Sequence, residues 1–207
     1  MMTERTGIGQ WILGLMLLTA GGIFALAHAQ APNQARNIPN PDQPPLKLDT
    51  EMDEGTGALR EAFIKRPVYY RSREAPGTII VDTSERFLYL IKGNDVAIRY
   101  GIGVGRDGFQ WAGLLRISRK AEWPDWTPPA EMIARQPYLP RWMAGGPGNP
   151  MGARAMYLGA TVYRIHGTNQ PETIGHAVSS GCFRLVNDDV VDLYNQVAVG
   201  AKVIVRH

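Results

Sequence analysis

The chain has a single cysteine, Cys182, and it follows His166 with only residues 167–181 between them, in the run YRIHGTNQPETIGHAVSSGCFRLVN. A thiolate is a strong nucleophile, and an adjacent imidazole can serve as its general base. With no second cysteine the thiol has no disulfide partner in its own chain. Such a thiol is either buried as a small hydrophobe or used. The local context favours use. Ser179-Ser180-Gly181-Cys182 is a turn of small residues. Gly181 lets a substrate approach the backbone closely, and the N–H groups of Ser180, Gly181 and Cys182 can converge on one point as an oxyanion hole.

Of the four histidines, His28 lies in an N-terminal apolar segment and His207 is the last residue. His166 closes an apolar strand candidate and precedes Gly167, so its ring can emerge at a sheet end. His176 reads as a solvent-exposed loop residue. Cys182 as nucleophile with His166 as general acid and base is thus the pair the sequence offers. A zinc site built from His166, His176, Cys182 and Asp188 fits no common ligand spacing, and one cysteine excludes the two- and four-cysteine zinc sites. No metal and no cofactor is expected. A papain-like protease would place its cysteine before its histidine.

The elements that must position this pair read mostly as strands. Short β-rich runs cover Thr78–Asp82, Arg86–Ile91, Val96–Val104, Leu114–Ser118, Ala155–Leu158, Thr161–Ile165 and Lys202–Val205, with turn residues such as Lys92-Gly93-Asn94-Asp95 between them. The fold expected is mainly β, a mixed sandwich or barrel-like core with one or two short helices. One helix is expected over Pro129–Gln136. The other spans Asn187–Val197, with Asn187 as N-cap, Asp188 and Asp189 at the positive end of the dipole, and Gly200 soon after its end. Residues 123–150 hold seven prolines and Trp123, Trp126 and Trp142. They read either as a rigid loop padding the core or as a lid over a cleft.

Composition bounds the rest. At 207 residues, 44% hydrophobic and 20% charged, the chain is neither wholly disordered nor a polytopic membrane protein. A net charge of +3 with no basic block does not suggest a nucleic-acid binder. Trp11–Ala27 is an uncharged apolar run followed by Ala27-His28-Ala29. Residues 1–29 therefore read as a signal peptide or, uncleaved, as a membrane anchor, and either way the remainder is exported. Residues 30–60 begin with five prolines within 30–45 and read as a disordered spacer. Residues 61–76 form a short lead-in with helical character, and the domain proper occupies 77–207.

The His166-to-Cys182 spacing, with Ser179, Gly181, Cys182 and Arg184 on motif positions, resembles the L,D-transpeptidase family (YkuD-type catalytic domain). IIVDTSERFLYLIKGNDV is similar to that family's first hairpin, and GNPMGARAMYL to the segment before its histidine strand. The family's histidine just before Gly-Cys is Ser180 here. The resemblance implies an exported enzyme that acts on peptidoglycan stem peptides through a Cys182 thioester. It would release D-alanine and form 3→3 cross-links, and carbapenems would acylate it. Water as acceptor would make it an L,D-carboxypeptidase. A protein amine, on an outer-membrane or wall-attached partner, would make it a ligase. A silent wall-binding module is the alternative without turnover. Backbone N–H groups around Gly181 and Ser180 would hold the oxyanion. Arg184 suits a substrate carboxylate, or alternatively an ion pair with Asp188 or Asp189. Ser179, Thr168, Tyr163 and Trp111 are expected to line the cleft.

Overall fold

The structure, a computed structural model, describes Leu59 and residues 61–207. The segments read as signal peptide or anchor (1–29) and as spacer (30–60, Leu59 apart) lie outside the described residues. Eleven strands and two helices follow one another: β1 (Arg66–Tyr69), β2 (Ile79–Asp82), β3 (Phe87–Gly93), β4 (Val96–Gly101), β5 (Val104–Gly105), β6 (Gly113–Glu122), α1 (Ala130–Arg135), β7 (Arg154–Leu158), β8 (Arg164–His166), β9 (Ala177–Ser179), β10 (Phe183–Arg184), α2 (Asn187–Gln196) and β11 (Lys202–Arg206). The mainly β reading holds. Among the described residues no helix is long and apolar enough to cross a membrane.

Nine strands form one sheet in the order β1-β4-β3-β2-β11-β6-β7-β8-β10, and β5 pairs with β9 separately. The ten-residue β6 joins the two halves. Its first part pairs with β11 and its second with β7, and its register with β7 shifts between Ile117 and Arg119. Such an irregularity bends a strand and lets one sheet curl round a core. That core gathers Leu88, Leu90 and Tyr100 from one half with Met156, Ile165 and Phe183 from the other, and Val190 and Leu193 of α2 close it.

β2 is buried at every position, which is why Ile79-Ile80-Val81 reads as a continuous apolar run and not as an alternation. Its Ile80 packs on a second face with Tyr89, Ile91 and Ala97, against Val68 and Tyr70. The lead-in therefore belongs to the fold. It forms a three-residue 3-10 turn, Glu61–Phe63, and then β1, paired antiparallel to β4, where a helix was expected. Tertiary pairing with an open sheet edge overrides a weak helical pattern. Phe63 wedges where Gly101 and Gly175 leave room: a Cβ on either glycine would approach it to 2.5 Å. Gly175 lies just before β9, so this wedge braces the segment leading to Cys182.

α2 starts at Asn187, but the Asn187 side chain does not cap it. Val186 holds the capping position, and Asn187 Oδ1 accepts the Ala153 N–H at 2.9 Å, tying the helix to β7. At the other end Lys120 Nζ donates to the Tyr194 and Val197 carbonyls at 2.6 and 2.8 Å, satisfying groups the helix leaves open.

Replacing the wedge ring tests its part in the fold. Phe63→Ala is expected to cost about 3–5 kcal/mol, measured as a lower urea midpoint at unchanged slope. An unchanged midpoint would mean the lead-in contributes nothing to the domain.

Candidate active site

The site is set by the pairing of β8 with β10. They run parallel, with Ile165 opposite Phe183 and His166 opposite Arg184. Alternate side chains of a strand face opposite sides. Ile165 and Phe183 are sealed in the core, so His166 and Arg184 face the other way. One step along the same register sets Cys182 beside Arg164. The result is a two-by-two array on one face, with Arg164 and His166 on one strand, Cys182 and Arg184 on the other, and the thiol diagonal to the imidazole. Array positions lie about 4.8 Å apart across the strands and about 6.6 Å along them. All four residues line one cleft of about 170 Å³.

β10 is clasped on its far side by Gly103, which exchanges two backbone hydrogen bonds with Arg184, both 2.9 Å. Glycine is needed there, since a Cβ would come within 2.7 Å of the Thr173 carbonyl. The turn before Cys182 is fixed just as closely. Gly181 has φ +98°, and a Cβ on it would meet the Tyr163 ring at 2.7 Å. Trp111 stacks on Tyr163 at 4.4 Å and donates its Nε1–H to the Gly181 carbonyl at 2.9 Å. Ser179 Oγ donates to the Cys182 carbonyl at 2.6 Å and accepts the Gly181 N–H at 3.2 Å.

These bonds correct parts of the sequence reading. The Gly181 N–H is engaged with Ser179 Oγ, which leaves the N–H groups of Ser180 and Cys182 as the candidate donors to an oxyanion. The planar peptide 181–182 has its carbonyl held by Trp111, so the Cys182 N–H points to the opposite side. Trp111 and Tyr163 stand behind the turn and do not line the cleft. Thr168 is buried at 3% exposure and is not among the residues that line the cleft; its Oγ1 accepts the Gln170 N–H at 3.0 Å in a local turn bond. Ser179, Ser180 and Arg184 line it. His176 is half-buried, where an exposed loop position was expected.

His166 is 5% exposed, and its Nδ1 lies 2.6 Å from the Gly167 carbonyl. A carbonyl only accepts, so Nδ1 carries the hydrogen and Nε2 keeps its lone pair. Burial, with the guanidiniums of Arg184 and Arg164, pushes the ring's pKa down to about 3, against the pull of the Gly167 and Met151 carbonyls. The ring is a neutral base at neutral pH. Cys182 is half-buried, with Sγ 3.8 Å from the Val162 carbonyl. Burial raises its pKa, and Arg164 and Arg184 oppose that rise. Arg184 makes no ion pair with Asp188 or Asp189. Asp189 instead faces Lys65 at 4.0 Å. Nε and Nη1 of Arg184 and Nε of Arg164 are buried without a partner.

The Pro- and Trp-rich segment forms the cleft's roof. Trp126, Pro129, Met132, Leu139, Pro140 and Met143 line it from above. Trp126 and Met143 exchange backbone bonds of 2.9 and 2.8 Å, and the buried Asn149 holds the segment's end through the Met143 and Ala144 carbonyls. Trp142 and Trp123 are exposed, so they do not pad the core. The sequence reading missed Arg164, Met151, Val162, Asn169 and Gln170 as cleft residues. A period-2 reading of YRIH carries the signal for Arg164, since it must share His166's face.

His166 at the end of β8 and Cys182 just before β10, beneath a roof, form the arrangement a cysteine acyltransferase would use. Residues 76–205 match the family model of the L,D-transpeptidase catalytic domain, YkuD, and the chain belongs to that family. It is 40% identical over 136 residues to the "Probable L,D-transpeptidase YbiS" of Escherichia coli (strain K12), which covers 61% of this chain and 43% of that protein. It is 34% identical over 134 residues to the "Putative L,D-transpeptidase YqjB" of Bacillus subtilis (strain 168), 61% of this chain and 69% of that one. The matched stretch thus spans less than half of YbiS. Among solved structures, the catalytic domain of the E. faecium L,D-transpeptidase superposes with a TM-score of 0.51 at 20% identity, covering 65% of this chain and 100% of that one. At that identity the likeness is one of fold.

Two outcomes check the geometry. Trp111→Phe keeps the ring on Tyr163 but deletes the N–H that holds Gly181. It should slow thiol acylation about tenfold while costing only about 1 kcal/mol of stability, read by stopped-flow acylation beside thermal unfolding. His166 is buried neutral, so as pH falls the unfolded chain takes up the proton first. The stability it contributes is complete above about pH 6.5 and is lost as pH falls toward the ring's folded value of about 3. Urea midpoints measured across that window should fall in the wild type and fall less steeply in His166→Gln.

Proposed function

We propose that this chain is an exported L,D-transpeptidase that acylates itself at Cys182 with a peptidoglycan stem peptide. The observation that carries the reading is that Cys182 and the buried His166, whose Nδ1 lies 2.6 Å from the Gly167 carbonyl, fall on one face of the paired β8 and β10. During attack the S–H bond breaks, its proton passes to His166 Nε2, and the sulfur bonds to the carbonyl carbon of the L-centre, typically diaminopimelate. The N–H groups of Cys182 and Ser180 hold the oxyanion. As the C–N bond breaks, His166 returns the proton to the departing D-alanine amine, leaving a thioester. A second stem's amine then attacks and regenerates the thiol, giving a 3→3 cross-link. Water or a protein amine in that place gives carboxypeptidase or ligase activity on the same intermediate.

Arg184 is the group for a substrate carboxylate. It is half-buried, lines the cleft and has buried Nε and Nη1 groups with no partner among the described residues, and its planar fork fits a carboxylate. The apolar roof suits the peptide's aliphatic stem. Export follows from the apolar N-terminal run and agrees with a wall substrate.

Intact-mass measurement after a carbapenem challenge tests the reading. The wild type should gain the drug's mass and Cys182→Ala should not. His166→Ala should lose about 10²–10⁴-fold in turnover with its fold unchanged by circular dichroism. A wild type that takes up no carbapenem would favour a silent wall-binding module. Muropeptides weighed from deletion and overexpression strains then identify the acceptor.

A further inference from the structure

Among the described residues the cleft holds two guanidiniums and no carboxylate: Arg164 and Arg184 are the only ionised side chains that line it, since the roof contributes apolar and amide groups and Glu172, which acts on Arg184, is not a lining residue. The two arginines hold different places in the array. Arg184 is directly opposite His166 in the β8–β10 register, and Arg164 falls beside Cys182 one step along it. The Arg164 side chain also crosses the Tyr157 ring, its guanidinium carbon 5.3 Å from the centroid, which leaves Nε buried and unpartnered. A half-buried guanidinium whose Nε is buried and unused, next to the sulfur that becomes negative, has an evident task.

The imidazole is badly placed for that task. Its Nδ1–H is committed to the Gly167 carbonyl, and a second positive charge would arise on it directly beside Arg184. A resting thiolate–imidazolium pair would therefore set two cations side by side in a desolvated pocket.

We propose that the Arg164 guanidinium is the charge that stabilises the Cys182 thiolate, with His166 serving as a neutral base that holds the proton only during the acyl transfer. Arg164 acts through the sulfur and changes no bond itself. The thiol proton goes to Nε2 and then to the leaving amine, while the sulfur pair forms the C–S bond. Arg184, two residues beyond Cys182 on β10, stays free for the substrate. This assignment rests on Cys182 being the nucleophile.

The pH dependence of iodoacetamide alkylation reads the thiol without any turnover. Arg164→Gln should raise the apparent thiol pKa by about one unit, a roughly tenfold loss of rate on the rising limb. Arg164→Lys keeps a charge and should restore most of it. His166→Gln should leave the alkylation pKa within a few tenths of the wild type while removing turnover. An Arg164→Gln profile that overlays the wild type overturns the proposal. So does a His166→Gln profile displaced upward by a unit, because the imidazole would then be the counter-charge. If Arg164→Gln does not fold, ultraviolet titration of the thiolate in the wild type and His166→Gln decides: coincident curves support the proposal and separated curves refute it. Carbapenem uptake by the same samples keeps the two readings apart. Uptake with an alkylation profile insensitive to residue 164 removes only Arg164's role, whereas absence of uptake removes the acyl-enzyme reading.

Discussion

The parallel pairing of β8 with β10 is the constraint on which the site depends. It is short, with two register pairs, Ile165–Phe183 and His166–Arg184. Its inward face is locked because both apolar members are fully buried. A slip of one residue would turn Cys182 toward the core and lift Phe183 into the cleft, since side chains alternate along a strand. Burying Phe183 and Ile165 is therefore what aims the thiol and the imidazole, and the chemistry inherits its geometry from hydrophobic packing. The Leu185 N–H to His166 carbonyl bond at 2.9 Å, and the clasp by Gly103 on the far side, hold that register from both edges.

A second layer fixes the peptide planes around the thiol. Around the left-handed Gly181, Trp111 and Ser179 hold three backbone groups: the Gly181 carbonyl, the Gly181 N–H and the Cys182 carbonyl. Each bond consumes a polar group that would otherwise compete with substrate, and together they leave the Cys182 N–H on the open side. Preorganised donors of this kind are effective because they need no rearrangement as charge develops. The roof over residues 123–150 rests on backbone pairing and on Asn149, and α1 has no buried residue. It can narrow the cleft without being part of the core.

Electrostatically the cleft is unbalanced. Three buried guanidinium nitrogens of Arg164 and Arg184 have no partner, where an unsatisfied buried donor typically costs about 1–3 kcal/mol. Native folds tolerate such costs mainly at functional sites. Burial, with this positive field, keeps the imidazole neutral, and the same field opposes the burial-driven rise of the thiol's pKa. The same unfilled positive field suits a substrate bearing carboxylates.

The sequence by itself picked out the candidate pair, Cys182 and His166, and most of the strands. One cysteine, one histidine at a strand end and a Ser-Ser-Gly lead-in are local facts, and β-rich runs between turns are legible by their period. It could not assign Arg164, β1, β9 or β10, nor tell Thr168 and Trp111 from cleft residues. Those depend on partners far away in the chain. β1 exists because β4 leaves an open edge, and β10 because β8 and Gly103 flank it. Trp111 faces a carbonyl and not the substrate because Gly181 lies 70 residues on. Periodicity reports which face a residue takes within its own element. Which element lies opposite, and which donors are already taken, is decided only when the sheet closes.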